Sequence, residues 1–122
     1  MSAISTEFEF TLPIGYRDGD GTLHREGVMR LATAADEILP LRDHRVQNNP
    51  AYLSVIVLSR VVTRLGSLDM INTKVIEDLF SADFNFLQKV YNRINEIEGE
   101  AGEDSVPGKF NSKTFQTSST PK

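Results

Sequence analysis

The stretch Asn49–Gly66, NPAYLSVIVLSRVVTRLG, constrains the fold more than any other part of this 122-residue chain. Asn49 is a good helix N-cap, Pro50 suits the first helical position, and Gly66 suits the residue just past a helix end. The stretch therefore reads as one helix over about 50–65. Ala51, Tyr52, Leu53, Val55, Ile56, Val57, Leu58, Val61, Val62 and Leu65 surround its first half almost completely, which is the pattern of a helix wrapped by other elements. Ser59, Arg60, Thr63 and Arg64 fall at i, i+4 spacing and give the second half a polar strip. Arg60 and Arg64 are candidate partner contacts; a solvated strip of snorkelling arginines is the plainer reading.

A strand and its return precede this helix. From Glu7 to Ile14 the residues alternate, with Phe8, Phe10, Leu12 and Ile14 on one side and Glu7, Glu9, Thr11 and Pro13 on the other. Pro13 has no amide to donate, so this strand belongs at a sheet edge or ends there. Tyr16–Thr22, YRDGDGT, carries Asp-Gly twice and closes a hairpin. The return strand runs to about Leu31, with Leu23, Met29 and Leu31 on one face and His24, Glu26 and Arg30 on the other. Gly27 marks a bulge or a close contact.

Thr33-Ala-Ala-Asp is a helix start, with Asp36 and Glu37 favourable to the helix dipole. The helix spans about 34–46, with a kink or a break at Pro40. Beyond the central helix, Thr73–Phe80 reads as a short helix whose apolar side is Val75, Ile76, Leu79 and Phe80. Ser81 suits the cap of a last helix over 82–97, where Phe84, Leu87, Val90, Tyr91 and Ile94 form an apolar face. The expected architecture is α+β: an N-terminal β-hairpin, about 7–31, packed on about four α-helices within a domain spanning 1–98. An isolated hairpin is marginal in water, so the Phe8, Phe10, Leu12 and Ile14 face lies on the helices or on a partner. Residues 99–122 are rich in Gly, Ser, Thr, Lys and Pro, a composition that does not fold alone. Their two phenylalanines, Phe110 and Phe115, allow a second reading as anchors of an arm ordered by a neighbouring subunit.

The chemistry that composition excludes is broad. With no cysteine there is no disulfide, thiolate metal site or cysteine nucleophile. His24 and His44 have no partner at metal-ligand spacing, and each reads as a surface residue. Asp18 and Asp20 resemble the start of a calcium loop but lack its further oxygen ligands and bidentate Glu. Asp78 and Asp83 bracket a helix junction, where a dipole role suffices for Asp83. No nucleophile elbow, phosphate loop or dinucleotide fingerprint occurs, so neither a catalytic residue nor a cofactor is expected. A net charge of −4 with scattered cations argues against nucleic acid. The longest uninterrupted apolar run, Val55–Leu58, is far below the roughly 20 residues of a membrane span. MSAISTEFEF lacks the basic start and apolar segment of a signal peptide, so a cytoplasmic location is expected.

Two stretches together carry a resemblance: FEFTLPIGYRDGDGTLHREGVMRLATAADE and VIEDLFSADFNFLQKVYNRIN. A Leu-Pro-Ile-Gly-Tyr hairpin, a Gly-rich turn, Leu-His-Arg-Glu, a Thr-x-x-Asp-Glu helix start and an Asp-aromatic-x-aromatic-Leu helix follow in that order. The order resembles the small tail assembly and baseplate-hub proteins of contractile-tailed phages and of phage-like contractile injection systems. The likeness covers about Glu7–Asn95; the junction RLAT, without a glycine turn, and the tail after Gly99 depart from it. The resemblance implies a non-enzymatic assembly or structural protein at the baseplate hub or the tube and tape-measure stage, with other tail, baseplate or tube proteins as partners. It also admits an assembly chaperone absent from the finished particle. A small adaptor for one soluble partner, unrelated to any particle, is the alternative from a different class.

Overall fold

The computed structural model describes residues 5–96 and is α+β, a three-stranded antiparallel sheet with five α-helices. Strands β1 (Glu7–Arg17) and β2 (Leu23–Arg30) form the hairpin. Its turn closes through Asp18, whose carboxylate accepts from the amides of Asp20 and Thr22, while Gly21 N–H donates to the Asp18 carbonyl. After the sheet come α1 (Ala34–Ile38), a 3₁₀ turn over Leu39–Arg42, α2 (His44–Asn48) and a second 3₁₀ turn over Pro50–Tyr52. The chain continues through α3 (Leu53–Val61), β3 (Val62–Leu65), α4 (Thr73–Glu77) and α5 (Ser81–Ile94).

The expected helix over 50–65 is thus three elements. Asn49 does cap, accepting from Ala51 N–H, but it caps a 3₁₀ turn. The α-helix stops at Val61 because the β-branched run Val61-Val62-Thr63 favours extended backbone and β2 offers it an unpaired edge. Val62 pairs with Met29, Arg64 with Val28 and Leu65 with Gly27, which turns the predicted two-stranded hairpin into the sheet β1-β2-β3. Gly66 ends a strand rather than a helix; its φ of +57° brings it against the His24 ring, where an added Cβ would lie 2.1 Å from Nδ1. Gly27 is the close contact anticipated: an added Cβ would meet the Arg64 carbonyl oxygen at 2.3 Å and the Phe10 ring at 2.6 Å. Without a side chain there, β3 crosses β2 tightly.

The core lies between the inner sheet face and the helices. Phe10, Leu12, Met29, Val62 and Leu65 meet Leu53, Ile56, Val57, Leu58 and Val61 of α3, with Val75, Ile76 and Leu79 around α4 and Leu87, Val90 and Tyr91 of α5. The helix expected over 34–46 breaks at the Pro40 turn into α1 and α2, because proline cannot donate an interior helical bond. The helix expected over 73–80 ends at Glu77, and Phe80 is 55% exposed rather than part of an apolar side. Phe80 is also the N-cap position of α5, so Ser81 is its first helical residue, and no side chain caps that end.

Strand β1 does not alternate to its end. Its pairing with β2 slips between Thr11 and Tyr16: Thr11 faces Glu26 and Tyr16 faces His24, so Leu12–Gly15 stand opposite Arg25 alone. This wide bulge turns Ile14 outward, to 46% exposure, against the expected alternation. Four of its backbone groups are met by two side chains. Arg25 donates to the Leu12 carbonyl (3.0 Å) and the Pro13 carbonyl (3.3 Å). Asp83, fully buried in the first turn of α5, accepts from Ile14 N–H (2.8 Å) and Gly15 N–H (2.9 Å). Replacing Asp83 with Ala strands two donors at once, one buried and one part-buried, so the expected loss of stability is roughly 2–4 kcal/mol, read as a shift in the urea unfolding midpoint; a shift below a few tenths of a kcal/mol would show that the bulge does not need the carboxylate.

Candidate interaction surface

Arg60 and Arg64 are not one strip, because the chain changes from helix to strand between them. Arg60 belongs to an ion-pair cluster around Asp36. Thr33 and Asp36 form the capping box of α1, each accepting from the other's backbone. The Asp36 carboxylate, 2% exposed, also takes two bonds from Arg30 of β2 (2.7 and 3.0 Å) and one from Arg60 Nε of α3 (2.9 Å). Arg30 additionally donates to the Arg60 carbonyl. One carboxylate thereby joins β2, α1 and α3, and the Arg60 Nε–H is spent inside the fold.

The Arg30 guanidinium, with the Thr33 amide and Arg60 behind it, holds Asp36 well below the usual carboxylate range despite burial. A carboxyl whose folded pKa is depressed contributes stability that is complete above its unfolded pKa, about 3.9, and is lost as pH falls through the folded value. Asp36→Asn is therefore expected to cost about 3 kcal/mol at pH 7 and to flatten the loss of stability that the parent shows below pH ~4. Parallel acid-side slopes for the two proteins would contradict this role.

His24 corrects the surface reading: it is 4% exposed. Its Nδ1 accepts from Ser67 N–H (3.2 Å), which leaves Nε2–H to donate to Asp18 (2.8 Å). The ring closes the hairpin turn onto the loop after β3, and its hydrogen bond lowers the Asp18 pKa, helped by the Thr22 and Asp20 amides. Tyr91, also fully buried, donates to Glu37, and burial first, then that bond, pushes its phenol far above the ordinary value. His44 is exposed, as expected.

Arg64 lies in a different setting. It lines a groove of about 460 Å³ with Glu9 and Thr11 of β1, Glu26 of β2, and Phe86 and Arg93 of α5. Among the described residues neither Arg64 nor Arg93 makes a side-chain ion pair. On another side, Ile38, Leu39 and Leu41 are 57%, 46% and 50% exposed around the buried Pro40. Sequence periodicity did not single them out, since a helix through 34–46 would have spread them over its faces. Phe110 and Phe115 fall outside the described residues.

Among the described residues no group of three or more His, Asp or Glu is placed to hold a metal ion, and no helix is long and apolar enough to cross a membrane. Comparisons of the chain with family models, curated proteins and solved structures return no match.

Proposed function

We propose that this protein is a non-enzymatic assembly or structural component of a phage-like contractile tail or injection system, acting at the baseplate hub or the tube and tape-measure stage. The motif order from Glu7 to Asn95 supports the particle, and the distribution of polar and apolar groups supports association as the activity. Among the described residues the buried groups able to do acid–base work, Asp36, Asp83, His24 and Tyr91, are each bonded to partners that hold the fold together. What the fold leaves unspent is apolar surface. The single observation that carries the reading is the knuckle Ile38, Leu39 and Leu41, three large side chains about half exposed at the 3₁₀ turn between α1 and α2. Pro40 beneath them and the Asp36 cluster beside them hold that turn in place, so the three side chains are presented without an ordering cost on binding.

In this reading the knuckle, Arg64 and the anchors Phe110 and Phe115 contact tail, baseplate or tube proteins. Ile38→Ser/Leu39→Ser/Leu41→Ser is expected to leave the thermal midpoint within a few degrees of the parent while particle yield falls at least about tenfold, the effect of about 1.4 kcal/mol of lost contact. Phe110→Ser/Phe115→Ser is expected to behave likewise. Both are checked by complementing a deletion strain and counting assembled, sheath-containing particles; normal assembly with both variants would overturn the proposal.

A further inference from the structure

Strand β1 is an outer strand of the sheet, and half of its free edge is already taken. At the bulge Pro13 has no donor, and Asp83 accepts from the amides of Ile14 and Gly15. The half before the bulge, Glu7–Thr11, is open, and the register shows which of its backbone groups point outward. Leu31 N–H donates to the Thr6 carbonyl, so Thr6, Phe8 and Phe10 are the residues bonded to β2, opposite Leu31, Met29 and Gly27. The far side of β2 carries the complementary alternation. The Glu26 carbonyl accepts from Gly66 N–H and the Val28 carbonyl from the Thr63 hydroxyl, both toward β3. Thr11 and Glu9, opposite Glu26 and Val28, therefore turn their N–H and C=O groups away from β2, and Glu7 does the same. Of these outward groups, only the Glu7 carbonyl has a partner among the described residues, the Ser5 hydroxyl. Glu7, Glu9 and Thr11 are all exposed.

We propose that this edge docks an extended segment of a partner protein, with Lys or Arg at alternate positions, as an added strand. The side chains beside the outward groups fix that chemistry. Glu7 and Glu9 stand on one face of β1, and Glu26 lies behind Thr11 on β2. None of the three makes an ion pair among the described residues. Arg30, across from Glu7, is held by Asp36. Arg64 and Arg93 line the groove over the sheet with Glu9 and Glu26 but pair with neither. Cations at alternate positions of an added strand meet Glu7 and Glu9 directly across, a favourable cross-strand pairing. The residue between them falls on the opposite face, beside the half-buried Phe8, where an apolar side chain fits. The same charges disfavour a second copy of this chain. Two such edges paired antiparallel set Glu9 against Glu9 or Glu7 against Glu9, and like charges directly opposite are destabilising. The bulge held by Asp83 stops the ladder after Thr11, so the added strand is short, roughly 17 Å long. The inference does not depend on the particle reading.

The test is NMR of the full chain at low ionic strength, titrated with the end-blocked synthetic peptide Thr-Lys-Val-Lys-Val-Lys-Thr, with amide hydrogen exchange measured at saturation. The Phe10 and Met29 amides, bonded within the hairpin, report that the fold is intact. The expected result is saturable binding that slows exchange of the Glu9 and Thr11 amides at least tenfold. Glu7→Lys/Glu9→Lys weakens binding of this peptide at least tenfold and transfers it to the peptide with Glu in place of each Lys. Absence of binding would overturn the proposal and leave the glutamates as guards of an open edge. Binding that leaves the Glu9 and Thr11 amides at their free exchange rates would overturn it as well, by showing charge attraction without a strand. Protection of those amides that grows with protein concentration in the absence of peptide would also overturn it, by assigning the edge to a second copy.

Discussion

A buried carboxylate on an irregular piece of backbone is the constraint on which the rest of this structure depends. Four residues of β1, Leu12–Gly15, stand opposite the one residue Arg25, and four of their backbone groups are met by side chains rather than by a neighbouring strand. Arg25 supplies donors for two carbonyls, and Asp83 supplies two acceptors for two amides. Because Asp83 lies in the first turn of α5 and its targets lie 68 and 69 residues earlier, this single group fixes where the last helix crosses the sheet. Leu87, Val90 and Tyr91 then fall into the core on the same helix, and the fully buried Tyr91 reaches Glu37 beside α1.

The second buried carboxylate, Asp36, performs the matching task at the other end of the hairpin. It draws Arg30 from β2 and Arg60 from α3 onto the capped start of α1. Between the two aspartates the sheet is held to the first helix, the central helix and the last. Burying a carboxylate is costly unless its oxygens find partners: Asp36 is paired with Arg30 and Arg60, and Asp83 is hydrogen-bonded by two backbone amides. The consequence for function is that the polar groups with the most perturbed surroundings are structural. Surface features are left for partners: the Ile38–Leu41 knuckle, the groove at Arg64 and the half-open edge of β1.

Much of this was legible in the sequence where the signal is local. Thr33 and Asp36 announce their capping box, Asp18 its turn, Gly27 its close contact, and Pro13 the edge position of its strand. What escaped is nonlocal. Val61-Val62-Thr63-Arg64 fits an apolar helical stripe as well as a strand, and only the unpaired side of β2, more than thirty residues earlier, decides between them. The same is true of Asp83: its position in a first helical turn is a sufficient role by itself, and nothing within several residues reveals two amides waiting in the hairpin. His24 lies among Leu23, Arg25 and Glu26 and reads as surface; its burial comes from Gly66, which folds against the ring only because β3 exists. Arg60 and Arg64 were grouped by helical spacing, and the change to extended backbone at Val62 separates them into one bonded to Asp36 and one that makes no side-chain ion pair among the described residues.

The measurement that tests the account's central claim most directly is quantitative mass spectrometry of purified sheath-containing particles, with this chain compared to a known baseplate subunit. A built-in component is expected at a fixed small-integer ratio to that subunit. Absence of the chain from the particles, together with normal particle formation in cells lacking its gene, would contradict a role in assembly or structure.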